Sequence, residues 1–187
     1  MKRSTEKRPT RAELDRSLRR RVPDVIGPRL QILFCGINPG RYSAALGHHF
    51  AGPSNRFWRT MHAAGFTPRL FSPREDAELL RLGFGITNLA SRTTARANLL
   101  PAPELKRGAR MLRRKVRRYR PKVLAIVGLG AYRTAFGVPT ARTGLQPEVI
   151  DSTRVWLLPN PSGLNAHHQP AELARLFAEL RDFARSL

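Results

Sequence analysis

The chain has 187 residues, 41% of them hydrophobic and 25% charged, enough apolar material for the core of one ordinary domain. No apolar run approaches the roughly 20 residues that span a bilayer. The basic start Met1–Arg8 is followed by no apolar stretch of the kind a secretory signal carries, and the single cysteine, Cys35, excludes an internal disulfide and a cysteine-rich zinc or iron–sulfur centre. We therefore expect a cytoplasmic protein.

Thirty-four Lys and Arg against thirteen Asp and Glu give a net charge of +21 and a pI near 11.8. A protein so basic is drawn to polyanions, of which nucleic acid is the commonest. The charge is unevenly spread. Residues 105–122 carry ten basic side chains and no acid, a one-signed run that generates positive potential and suits phosphate contacts.

Residues 1–27 are polar and basic. Leu14, Leu18 and Val22 are spaced by four and predict a helix over 11–22, in what reads as a basic N-terminal arm, partly flexible. Residues 28–187 read as a single domain. Its predicted strands are Leu30–Cys35, Phe84–Leu89, Lys122–Val127 and Arg154–Leu158, nearly continuous apolar runs of the kind buried on both faces of a parallel sheet. Helical patterns lie between and after them: 55–64 behind Pro53-Ser54, 74–82, the basic stretch 104–119, 131–136, and 170–186 with an apolar face of Leu173, Leu176, Phe177, Leu180 and Phe183. The alternation predicts a three-layer α/β/α domain around a short, mostly parallel sheet of four to five strands.

Ligands of open parallel sheets bind outside the carboxyl ends of the strands. Two polar loops occupy those positions. Gly36-Ile37-Asn38-Pro39-Gly40 follows the first strand, and Asn160-Pro161-Ser162-Gly163-Leu164-Asn165 follows the fourth. Pro39 fixes its own φ and biases Asn38 to extended backbone, while Gly40 permits close approach to a ligand. Other site patterns are absent. There is no phosphate-binding loop of the Walker type. Gly128-Leu129-Gly130 begins a dinucleotide fingerprint that Arg133 breaks. The pairs His48-His49 and His167-His168 lack the carboxylate or thiolate companions of a metal site, so neither a metal nor another cofactor is expected.

Taken together, Gly36-Ile37-Asn38-Pro39-Gly40, Pro53-x-Asn55-x-Phe57-Trp58 and Asn160-Pro161-Ser162-Gly163-Leu164 make residues 28–186 similar to the mismatch-specific uracil-DNA glycosylases, bacterial relatives of thymine-DNA glycosylase. The resemblance implies a role for each loop. Asn38 would position the attacking water. Phe50 would stack on the flipped base with Ile37 beside it, in a pocket shared with Gly40, Ser43 and Asn88. Asn160, Ser162, Gly163, Leu164 and Asn165 would meet DNA, with Leu164 as the wedge entering the duplex. The sequence departs from the bacterial pattern at Asn88, where a lysine is common, and at Asn165-Ala166, which replaces a Ser-Arg pair. Tyr42 adds a bulky side chain near the pocket.

The implied partner is double-stranded DNA carrying uracil mispairs, met by a monomer, with enzymes of abasic-site repair acting afterwards. A base in a duplex must be flipped out before it can be attacked. An amide at position 38 holds a water but is a poor base, and no lysine is placed as a Schiff-base nucleophile. The expected enzyme is a slow, monofunctional glycosylase that leaves an abasic site unbroken. The rival expectation is a basic nucleic-acid-binding protein that has kept this fold without its chemistry.

Overall fold

The computed structural model describes residues 8–163 and 168–187. They form β1 (Ile32–Gly36), β2 (Phe84–Asn88), β3 (Val123–Val127), β4 (Gly144–Ile150) and β5 (Thr153–Leu158), joined in one sheet of order β2-β1-β3-β5-β4. All neighbours pair in parallel except β4, which runs antiparallel to β5 on the edge. The helices are α1 (Arg11–Arg16), α2 (Arg41–Leu46), α3 (Phe57–Ala63), α4 (Ala102–Tyr119), α5 (Leu129–Phe136) and α6 (Pro170–Arg185), with a tighter helical stretch over Pro73–Leu82.

The central strands β1 and β3 are apolar on both faces because both are covered. Leu33 and Cys35 of β1, with Leu124 and Ile126 of β3, turn to the layer of α4 and α5. Ile32 and Phe34, with Val123, Ala125 and Val127, turn to α3, α6 and the 73–82 stretch. Phe34 is the centre of the second layer, with Phe57, Phe66 and Phe84 edge-on and Phe177 stacked. The three-layer α/β/α architecture is the one expected, and the sheet has five strands.

Two elements escaped the sequence reading. β4 alternates exposed and buried residues and carries Pro147 and a register shift between Leu145 and Val149, so it lacks the apolar run of its neighbours. α2 is a single short helix directly after Pro39-Gly40. The first helix is also shorter than its spacing predicts. A Thr10–Glu13 capping box starts it, the α-helix ends at Arg16, and a tight turn over Ser17–Arg19 follows. Pro23 disfavours helical backbone at Val22, and Val22 is buried whereas Leu18 is exposed.

The segment before β1 is tied to the sheet. Val25 pairs with Ile86 on the outer edge of β2, Asp24 accepts from the Thr87 hydroxyl and pairs with Lys115, and Thr93 donates to the Arg20 carbonyl.

α4 connects β2 to β3 across β1 and runs antiparallel to the strands, as a crossover helix between parallel strands must. Its first turn stands near the strands' carboxyl ends. Its last turn delivers Lys122 to the start of β1, where the Lys122 amide donates to the Leu30 carbonyl at 3.0 Å. The inward cations of α4 are matched by acids: Arg113 with Glu148, Lys115 with Asp24. Gly108 is where α4 crosses the chain just after β2. A Cβ there would stand 2.3 Å from the Leu89 carbonyl oxygen, which backbone cannot yield. We expect Gly108→Ala to destabilise the fold by about 2 kcal/mol in urea unfolding, because overpacking against backbone outweighs the better helix propensity of alanine.

Candidate active site

Chain connections leave β1 toward β2 and leave β3 the opposite way, toward β5. The gap between their carboxyl ends is the point where an open α/β sheet forms a crevice. A cavity of about 410 Å³ lies there, lined by Ile37, Asn38, Gly40 and Ser43 from the β1 side, by Phe50 and Asn88, and by Asn160 and Ser162 after β5. The loop residues singled out from sequence thus meet in one place, except for three. Gly163 is placed beside this cavity rather than in its lining, and Leu164 and Asn165 lie outside the described residues.

Asn38 is held by its amide nitrogen. Nδ2 donates to Thr94 Oγ1 at 2.7 Å, to the Arg92 carbonyl at 2.9 Å and to the Pro39 carbonyl at 3.2 Å. Carbonyl oxygens only accept, so the NH₂ group must face them. The side-chain carbonyl is therefore fixed as the outward group of Asn38, an acceptor with no protein donor among the described residues. Thr94 in turn donates to the Arg96 carbonyl, which settles its hydroxyl as acceptor toward Asn38.

Phe50 is a non-glycine residue at φ 53°, a conformation that costs of order 1–3 kcal/mol and persists only when its surroundings impose it. They do so on both sides. The His49 amide donates to Asp76 and the His49 carbonyl accepts from the Trp58 indole. The Ala51 amide donates to the Ser43 hydroxyl. The Phe50 ring lies stacked on Phe57, centroids 3.9 Å apart and planes 15° from parallel. Ser43 faces the cavity, but the role its hydroxyl visibly performs is holding this turn.

Asn88 ends β2 opposite Gly36. A Cβ on Gly36 would come within 2.7 Å of Asn88 Oδ1 and 3.2 Å of the Phe50 ring, so glycine is what allows the two to close the cavity floor. Asn88 Nδ2 stands 3.4 Å from His49 Nδ1, and His49 Nε2 stands 2.9 Å from the Pro23 carbonyl. A carbonyl requires N–H at Nε2, which leaves Nδ1 to accept from Asn88. Tyr42 also borders the cavity.

Burial pushes the His49 pKa below its ordinary 6.5, against the opposing pull of the Pro23 carbonyl and of Asp76 and Asp24. A histidine kept neutral in the fold is protonated first in the unfolded chain, so its contribution is complete above pH 6.5 and is lost as pH falls through the folded value. We expect stability to decline with acidification between pH 6.5 and the carboxylate range near 4.5, and His49→Gln to flatten that decline. Urea unfolding of both proteins across this window checks it; parallel curves would remove His49 as the cause.

The loop after β5 is clamped by Arg56. Its Nη1 donates to the His168 carbonyl at 2.7 Å, Nη2 to Ser162 and Nε to Pro161, while the Arg56 amide also reaches Pro161. Asn160 Oδ1 accepts from the Ser162 amide. Gly163 abuts Ser54 so closely that a Cβ would meet its backbone at 2.6 Å.

Sequence reasoning missed Thr94, His49, Asp76 and Arg56. Each acts on a residue far away in the chain, and nothing local marks it.

The model of the uracil DNA glycosylase superfamily matches residues 23–181. The solution NMR structure of a candidate uracil DNA glycosylase from Methanosarcina acetivorans superposes with a TM-score of 0.56 over 87% of this chain and 98% of that one, at 17% identity, a likeness that concerns the fold. The family match runs from the segment paired to β2 into α6 and takes in nearly every residue around the cavity, so the chain belongs to the uracil DNA glycosylase superfamily.

Proposed function

We propose that the protein is a monofunctional glycosylase that hydrolyses the N-glycosidic bond of uracil in G·U mispairs, the first step of base excision repair. The observation that carries this is the fixed amide of Asn38. With Nδ2 committed to three oxygens, Oδ1 accepts a hydrogen bond from a water and orients its lone pair toward C1′ of a flipped nucleotide. An amide takes up no proton, so bond breaking is led by departure of the uracil anion; the sugar cation is captured by the held water, whose released proton passes to the uracil anion or to solvent.

Phe50, braced on Phe57, stacks on the extruded base. Asn88 meets its polar edge with the amide turned by His49. The Phe50 amide, which has no acceptor among the described residues, is one donor for the negative charge on the leaving base. Leu164 fills the gap in the duplex, and the clamped loop before it positions that wedge.

The test is single-turnover excision on duplexes with uracil opposite G or A and on single-stranded uracil, followed by alkali. The expected result is alkali-labile product, formed fastest from G·U because a mismatch is the least costly to open, with no strand cleavage before alkali. No product at enzyme excess would overturn the reading; cleavage before alkali would overturn its monofunctional part.

A further inference from the structure

The outward face of α4 is strongly basic, and the cavity makes no use of most of it. Lys106, Arg107, Arg110, Arg114, Arg118 and, just beyond the helix, Lys122 are exposed. Among the described residues no carboxylate forms an ion pair with any of them. The 18-residue helix is about 27 Å long. Since α4 runs antiparallel to the strands, the ridge starts at the rim of the cavity face and ends beside the start of β1. Its far half therefore points away from any duplex seated over the cavity. A duplex is stiff on this scale, with a persistence length of about 150 base pairs, and does not curl around to meet it.

Like charges three and four residues apart oppose helix formation, so this face is under self-repulsion that a polyanion relieves. The cations are mostly arginine, whose planar fork fits phosphate oxygens. An acidic protein would also need apolar anchors at the centre of its interface, and the ridge offers Met111 alone among large exposed hydrophobic side chains.

We propose that the outward face of α4 is a second nucleic-acid-binding surface, gripping the backbone of a duplex other than the one whose base is read. The enzyme would then hold two DNA segments at once and pass between them without full release. This does not depend on the base specificity proposed above.

The experiment seats the full-length protein on a short immobilised duplex, with or without a G·U mispair, and measures capture of a second, labelled duplex that lacks uracil. The wild-type protein should capture it, with strong salt dependence. A variant carrying Arg114→Gln, Arg118→Gln and Lys122→Gln should lose capture and flatten the log–log salt slope by roughly 2 to 3, while excising from the short duplex at the parental rate. Relief of repulsion should leave its melting temperature equal or higher.

Absence of capture by the wild type, or equal capture by the variant, would overturn the proposal. So would tighter wild-type binding to one long duplex with no second duplex captured, which means that a single DNA wraps. Displacement of the labelled duplex by polyglutamate as readily as by unlabelled duplex would overturn it in favour of an acidic protein partner. Capture retained alongside failed uracil excision would count against the proposed function alone.

Discussion

Asn38→Ala should lower single-turnover excision by on the order of a hundredfold or more, the scale of losing one preorganised polar group, while duplex binding stays close to parental. The side chain is half the apparatus; the other half is the acceptor set that aims it. Alanine removes the carbonyl proposed to hold the water and also leaves the Arg92 and Pro39 carbonyls without that donor. Thr94→Val separates the two effects. It keeps the amide and deletes the shortest of the three bonds, at 2.7 Å, so a smaller loss is expected. Asn38→Asp is not a simple gain of a base, since it sets a carboxylate oxygen against the Arg92 carbonyl where an N–H now sits at 2.9 Å. Rapid-quench rates beside equilibrium binding decide the matter. An Asn38→Ala protein with the parental rate would remove this residue from the mechanism.

Gly36→Ala should cost a comparable factor by a different route. The added methyl group collides with Asn88 Oδ1 at 2.7 Å and the Phe50 ring at 3.2 Å, and neither neighbour is free to retreat. Phe50 is backed by Phe57 at 3.9 Å between ring centroids, in a turn strapped by Asp76, Trp58 and Ser43. Asn88 is held by strand pairing and by His49. Displacing a positioning group by about 1 Å can cost a hundredfold in rate. Overpacking at this site should lower stability by about 1–3 kcal/mol, which urea unfolding measures separately. A folded Gly36→Ala enzyme with near-parental excision would show that Asn88 and Phe50 are not the walls that grip the base.

The architecture is largely legible in the sequence. β1 and β3 are buried along their whole length, and burial on both faces writes a continuous apolar run into the sequence; β5 keeps such a run in Val155–Leu158 although Arg154 is exposed. β4 has one exposed face and a proline, so its pattern resembles a loop. α4 was visible as a basic helix, but the direction of its charges was not. The inward pairs of Arg113 with Glu148 and Lys115 with Asp24 depend on acids 35 residues downstream and far upstream. A phosphate-binding role for the whole run, inferred from charge alone, narrows to the outward face once those pairs are seen.

The loops that meet at the cavity were legible for a related reason. Asn38-Pro39-Gly40 and Asn160-Pro161-Ser162-Gly163 are local backbone devices, and proline and glycine announce them wherever they stand. The sequence alone determined which strands end in such loops, and strand ends in a parallel sheet share one edge of the domain. Tertiary structure decided which atom of each side chain is left to face the cavity. Asn38 is turned by groups 54 and 56 residues away, and the β5 loop is clamped by an arginine 105 to 112 residues before its acceptors. The His49 tautomer is chosen by the Pro23 carbonyl. A hydrogen bond between distant residues leaves no period or spacing in the chain, so the orientation of an amide or an imidazole becomes determinate only when folding brings its partners within reach.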